Sequence, residues 1–189
     1  MADISSFPSS SKVSPKVSPK VSPKVSPKVS AESLPKVQIY TDGSCLGNPG
    51  AGGYGALLDY GDRRQELSGG YRLTTNNRME ILGAIVALRS LETPSVVDLY
   101  TDSQYLVNTM TKGWAKRWQA NNWQRNAKDK AENPDLWQEL LELGKQHKIT
   151  FHWVRGHSGH PENEYCDRLA VKAANGQNLP PDSGYKPKK

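Results

Sequence analysis

Two hexapeptides echo each other 60 residues apart, Ile39-Tyr40-Thr41-Asp42-Gly43-Ser44 and Leu99-Tyr100-Thr101-Asp102-Ser103-Gln104, and each closes an apolar, β-branched run with an aspartate. Alternation over residues 37–42 puts Val37, Ile39 and Thr41 on one face and Gln38, Tyr40 and Asp42 on the other, and residues 97–102 repeat it position for position. As neighbouring strands of one sheet, these runs would bring two carboxylates to about 5 Å on a common face. Anions that close resist double ionisation, so the pair calls for a cation between them or a proton on one of them. Taken singly, an aspartate after a strand is a common turn or helix N-cap residue. It is the coincidence that points to a metal site.

Other groups could complete such a site. Glu80 falls three residues after Asn77, the spacing of a capping box, and Asp167 lies in a C-terminal helical stretch where, alone, it reads as a surface acid. Between them in function stands the loop Gly156-His157-Ser158-Gly159-His160-Pro161, whose glycines would let an imidazole swing over a site beside that helix. His157, His160 and Cys166 match no common structural zinc spacing, and hard oxygen donors suit Mg²⁺ or Mn²⁺ better.

The elements that must position these groups follow from periodicity and turn signals. A strand over 37–42 leads through a glycine-rich stretch, 43–53, into strands over 54–60 and 63–73 that join at Gly61-Asp62 as a hairpin. Helical spacing of Ile81, Ile85 and Leu88 predicts a helix over 77–91, followed by a strand over 96–102. Helical segments with loops fill 103–145, a fifth strand covers 149–154, and Pro161 opens a last helix to about residue 175.

The chain of 189 residues has room for one ordinary domain plus tails. Its mean hydropathy is -0.71, and at the N-terminus residues 12–27 are four copies of Lys-Val-Ser-Pro followed by Lys28-Val29-Ser30. Proline at every fourth position forbids helix and sheet interior, so residues 1–35 are expected to be a disordered tail, as are residues 176–189, with the domain between them at 36–175. A net charge of +6 favours a polyanionic partner. Much of it sits in residues 112–130, where six basic residues face one acid and alternate with Trp114, Trp118 and Trp123, a pattern suited to gripping a nucleic-acid backbone unless the tryptophans pack inward. Two cysteines form no disulfide framework, no apolar run spans a membrane, and residues 1–35 lack a secretory or mitochondrial signal; a cytoplasmic monomer is the expectation.

Tyr40-Thr41-Asp42-Gly43-Ser44-Cys45-Leu46-Gly47-Asn48-Pro49-Gly50, Thr75-Asn76-Asn77-Arg78-Met79-Glu80, Thr101-Asp102-Ser103-Gln104-Tyr105 and the run from Gly156 through Asp167 closely resemble the bacterial-type ribonuclease HI family, in order and in spacing. The resemblance implies an α/β fold with a mixed five-stranded sheet and helices on both faces. It implies that Asp42, Glu80, Asp102 and Asp167 bind two Mg²⁺ ions and that His157 is a mobile catalytic histidine. Residues 112–130, with Lys112, Trp114, Lys116, Arg117, Trp118, Trp123 and Arg125, would be a protrusion on the DNA strand. Cys45, Asn48, Asn76 and Gln104 would lie along the RNA strand, and Thr75 and Asn77 toward DNA. The implied activity is endonucleolytic cleavage of the RNA strand of an RNA-DNA hybrid, leaving 5'-phosphate and 3'-hydroxyl ends. A DNA strand-transferase of similar fold and a non-catalytic hybrid-binding module are the rivals.

Overall fold

The computed structural model describes residues 34–187, so the Lys-Val-Ser-Pro array lies outside the described residues. Strands β1 (Lys36–Leu46), β2 (Gly50–Asp59) and β3 (Arg64–Thr74) form an antiparallel meander, and β4 (Val96–Thr101) and β5 (Lys148–Trp153) extend it on the other side in parallel, giving the order β3-β2-β1-β4-β5. Parallel neighbours need crossovers. Helix α1 (Asn76–Arg89) supplies the first, and α2 (Gln104–Thr111), α3 (Trp114–Ala120) and α4 (Pro134–Gln146) supply the second; α5 (Pro161–Ala174) closes the domain.

The mixed sheet carries helices on both faces, as expected. Val37, Ile39, Val97 and Leu99 are buried on the side of α1, where Met79, Ile81, Ile85 and Leu88 meet them and Leu136, Trp137 and Leu140 of α4 extend the core. Helix α5 covers the opposite face of the meander. A Cβ on Gly53 or Gly55 would fall on the α5 backbone near Ala170 or Cys166, and a Cβ on Gly43 on the backbone of α1 at Glu80. These close approaches explain a difference from the sequence reading: the stretch 43–53 is strand nearly throughout, with only residues 47–49 between β1 and β2. Glycine there signals tight helix-on-sheet packing rather than a loop.

Registry is fixed on the α5 face by a ring ladder across β1, β4 and β5. Tyr40 stacks on Tyr100 at 4.9 Å and Tyr100 on His152 at 4.6 Å, and His152 Nε2 lies 2.7 Å from Asp98 Oδ1. Two residues further along each strand, on the same face, come Asp42 and Asp102.

The chain beyond α5 is also packed, which corrects the expected disorder for its described part, residues 176–187. The carbonyl of Pro180 accepts from Arg72 N at 3.0 Å, and Asp182 Oδ2 accepts from Arg78 Nε and Thr74 Oγ1, both at 2.7 Å. Proline, glycine and lysine content suggested a tail; one buried ion pair holds it in place. Among the described residues no helix is long and apolar enough to cross a membrane.

Candidate active site and nucleic-acid interface

Strands β1 and β4 pair through Thr41 and Thr101, so Asp42 and Asp102 follow on adjacent parallel strands, as the echo predicts. Asp42 is 6% exposed, and Gly43 N donates to its Oδ1 at 2.7 Å. Burial, with Asp102, Asp167 and Glu80 adding like charge, pushes its pKa from 3.8 up to about 8 despite that hydrogen bond. Glu80 is pushed up to about 7, by burial and then by Asp102, against the pull of hydrogen bonds from Ser103 and Asn76. Burial also raises Asp102, opposed by its backbone hydrogen bond and by the nearby His157. Asp167 stands in the second turn of α5, half-buried, and acts on both aspartates as a like charge.

Glu80 does not cap its helix. The N-cap is Thr75, whose hydroxyl accepts from Arg78 N at 3.4 Å, and the helix already includes Asn76 and Asn77. Glu80 is instead held by Asn76 Nδ2 at 2.8 Å and by a short hydrogen bond from Ser103 Oγ. Ser103, the N-cap of α2, thus ties the first turn of α2 to an acid of α1.

The histidine loop leaves β5 with Val154 N bonded to Thr101 O at 3.0 Å, and the indole of Trp153 donates to Asp102 O at 3.0 Å. A Cβ on Gly156 would fall on the Asp102 carboxylate, so a side chain there would displace that carboxylate. His157 follows with φ of 51°, exposed, in the left-handed region that a non-glycine residue adopts at a cost. Glu164 accepts from Gly159 N at 3.1 Å and closes the loop onto α5. Asn163, 2% exposed, hydrogen-bonds Asp102 and leaves its Oδ1 buried with no partner among the described residues.

Among the described residues, no three His, Cys, Asp or Glu side chains are gathered closely enough to hold one ion as they stand. The donor set nonetheless fits a hard divalent cation. Carboxyls driven toward the neutral form by burial and mutual repulsion are relieved by positive charge, and the orphaned Asn163 oxygen is a further polar group at their edge. The zinc trio is dispersed: Cys166 is buried with its thiol on Tyr40 O at 3.2 Å, while His157 and His160 are exposed.

The candidate nucleic-acid contacts divide between two places. Asn48 is exposed on the β1–β2 turn, and its Oδ1 accepts from Asn76 N at 3.2 Å. Cys45, Thr75, Asn76 and Asn77 are half-buried nearby, and Gln104 is exposed at the start of α2. The basic protrusion consists of α3 and the loop after it. Lys112, Lys116, Arg117 and Arg125 are exposed, with Arg125 paired to Asp129 at 3.2 Å and Lys112 Nζ 5.3 Å from the Trp114 ring. Trp118 is a correction. It is 5% exposed and edge-on to Trp137 at 6.5 Å, so it anchors the protrusion in the core and offers no surface to a ligand. Trp114 and Trp123 are partly buried against the same core.

Sequence reasoning missed Ser103, Asn163 and the Arg78–Asp182 pair. Ser103 and Asn163 lay inside recognised motifs, one residue after Asp102 and four before Asp167, where a polar side chain at a helix start is the available signal. Nothing local marks Asp182, 104 residues from its partner.

The RNase H family model matches residues 35–175. The ribonuclease H of Rippkaea orientalis is 62% identical over 157 residues, covering 83% of this chain and 96% of that protein, and the ribonuclease HI of Synechocystis sp. is 62% identical over 157 residues, covering 82% and 98%. Among solved structures, LC9-RNase H1, a type 1 RNase H with the type 2 active-site motif, superposes with a TM-score of 0.69 at 39% identity, covering 80% of this chain and 76% of its own. With its carboxylate pair on β1 and directly after β4, its sheet order and these matches in agreement, the chain belongs to the ribonuclease H family of nucleases.

Proposed function

We propose that the protein hydrolyses the RNA strand of RNA-DNA hybrids by two-metal-ion catalysis, as a cytoplasmic monomer, and leaves 5'-phosphate and 3'-hydroxyl ends. The observation that carries this reading is the convergence of buried carboxyls, with Asp42 and Asp102 directly after the paired Thr41 and Thr101, and with burial first and like charge second pushing Asp42 to about 8 and Glu80 to about 7 when no cation offsets them. Asp42, Glu80, Asp102 and Asp167 would hold two Mg²⁺, with Mn²⁺ as a substitute, and the ions would supply charge to orient the attacking water and stabilise the departing 3'-oxygen.

The chain's own side chains do the rest. Asn76 and Ser103 fix the Glu80 carboxylate against α2, and Asn163 fixes Asp102, so two of the four ligands are held before substrate arrives. His157, carried on a loop that touches Asp102 through Gly156, receives or delivers a proton at the scissile phosphate. RNA is selected through its 2'-hydroxyl, both donor and acceptor, by the amides of Asn48, Asn76 and Gln104. The cations of the protrusion contact phosphates, which fixes register without reading bases. Both cysteines are free, which suits a reducing compartment.

The deciding experiment incubates the full chain with an end-labelled hybrid, a DNA duplex and an RNA duplex of one sequence, with and without Mg²⁺. Mg²⁺-dependent cleavage confined to the hybrid, with product ends that a polymerase extends without phosphatase treatment, is the expected result. Cleavage of the DNA duplex would favour the strand-transferase, and binding with no cleavage in Mg²⁺ the hybrid-binding module.

A further inference from the structure

The family match ends at residue 175, yet the following residues form part of the face that carries Thr75 and Asn77. The Asp182 side chain is 5% exposed; its Oδ2 takes Arg78 Nε and Thr74 Oγ1 at 2.7 Å, and its Oδ1 takes Arg78 Nη2 at 3.0 Å and Gly184 N at 3.1 Å. Gly184 has no room for a Cβ, which would fall on the Asp135 carboxylate and the Arg78 guanidinium. Fixed in this way, Ser183, Gly184, Tyr185 and Lys186 make one wall of an open cavity of about 780 Å³ that Asn48, Thr75 and Asn77 also line.

Charge decides which group there can meet a polyanion. Arg78, 3% exposed, is bonded by Asp135 at 2.7 Å as well as by Asp182, so two carboxylates more than offset its charge. A phosphodiester chain crossing this wall needs another cation. Lys186 is exposed at the rim and in no ion pair among the described residues, and the exposed acid Glu132 lines the same cavity, which leaves Lys186 as its available cation.

We propose that Lys186 is a phosphate-binding residue, and that the anchored C-terminal segment serves to hold it where it contacts the sugar-phosphate backbone of the DNA strand beside Thr75 and Asn77. The proposal rests on the hybrid-cleaving reading above.

Anisotropy titration of a labelled hybrid with the full chain, in EDTA so that no cleavage occurs, tests it between 50 and 200 mM salt. Lys186→Ala is expected to reduce the slope of log affinity against log salt by about 0.7 to 0.9, the value of one phosphate contact, so that its deficit relative to wild type is about 3-fold larger at 50 mM than at 200 mM. Lys186→Glu should lose more. Lys145→Ala, on α4 and paired with Glu142, serves as the control for overall charge and should leave the slope unaltered. Parallel salt lines for Lys186→Ala and wild type would overturn the proposal, as would an equal loss of slope in Lys145→Ala. If the wild-type chain shows no affinity for the hybrid at all, the functional reading itself fails and takes this proposal with it.

Discussion

Removing the charge of Asp42 should stabilise the metal-free protein while it abolishes activity, two effects of opposite sign from one substitution. Asp42→Asn keeps the size and the Gly43 contact of a 6% exposed side chain. The acid titrates at about 8 in the fold and at 3.8 in a free chain, so the folded state binds a proton that the unfolded state has lost throughout that window. With a folded pKa raised above the unfolded one, the contribution of this group to stability is greatest below about pH 4, falls as pH rises toward 8, and stays low above it. At about 1.4 kcal/mol per pH unit, the gap from 3.8 to about 8 sets a ceiling of about 6 kcal/mol for the strain that the ionised group imposes.

Burial accounts for the largest part of that strain and repulsion from Asp102, Asp167 and Glu80 for the rest, and small movements relieve some of it, so a gain of about 1 to 3 kcal/mol is expected from the single change. For a domain of this size, that is an increase in Tm of about 3 to 10 °C. Thermal unfolding followed by circular dichroism in EDTA should show the gain at pH 8 to 9 and its disappearance near pH 4, and saturating Mg²⁺ should stabilise wild type more than the variant. Cleavage of the hybrid should fall by several orders of magnitude while binding persists. A variant with unchanged or lower Tm at pH 8.5, or with the same gain at pH 4, would refute the claim that buried like charge organises this site. Near-normal Mg²⁺-dependent turnover would exclude Asp42 as a ligand.

Three further outcomes follow from the same geometry. His157→Ala should lower kcat by an amount in or just below the range of about 10² to 10⁴-fold typical of a positioned proton-transfer group, without a comparable rise in KM, whereas His160→Ala should do much less; equal losses in steady-state assays would make the loop merely structural. Replacing Lys116, Arg117 and Arg125 together by Ala should raise KM and flatten the salt dependence of hybrid binding by about 0.7 to 0.9 per lost phosphate contact, and titrations in which the slope holds would remove the protrusion from the interface. Trp118→Ala should cost about 3 to 5 kcal/mol in urea unfolding, because the ring is buried against Trp137, while Arg117→Ala beside it should change stability little; a stable Trp118 variant with weakened hybrid binding would restore that residue as a contact.

What the residues disclosed in advance, and what they withheld, divides along the range of the interactions involved. Two matched aspartates at the ends of two alternating runs were enough to place β1 beside β4, because a period of two and a shared terminal residue are local facts that pairing preserves. The same local logic misjudged the glycines of 43–53, whose reason is the backbone of α1 and α5 arriving from elsewhere. It offered a cap as the reading of Glu80 taken alone, from its spacing to Asn77, although the cap is Thr75 and the Glu80 carboxylate is hydrogen-bonded by Ser103. It could not distinguish a buried Trp118 from an exposed one, since one helical turn from Trp114 fits either face. And it read the C-terminus as tail because an ion pair between Arg78 and Asp182 leaves no trace in the composition around either residue. The candidate chemical groups were visible in advance, since each lies in a short motif that can be read locally. The groups that hold them in place were not, and those are the residues where substitution now carries the most information: Ser103 and Asn163 behind the acids, Gly156 under the histidine loop, and Asp182 behind the first turn of α1.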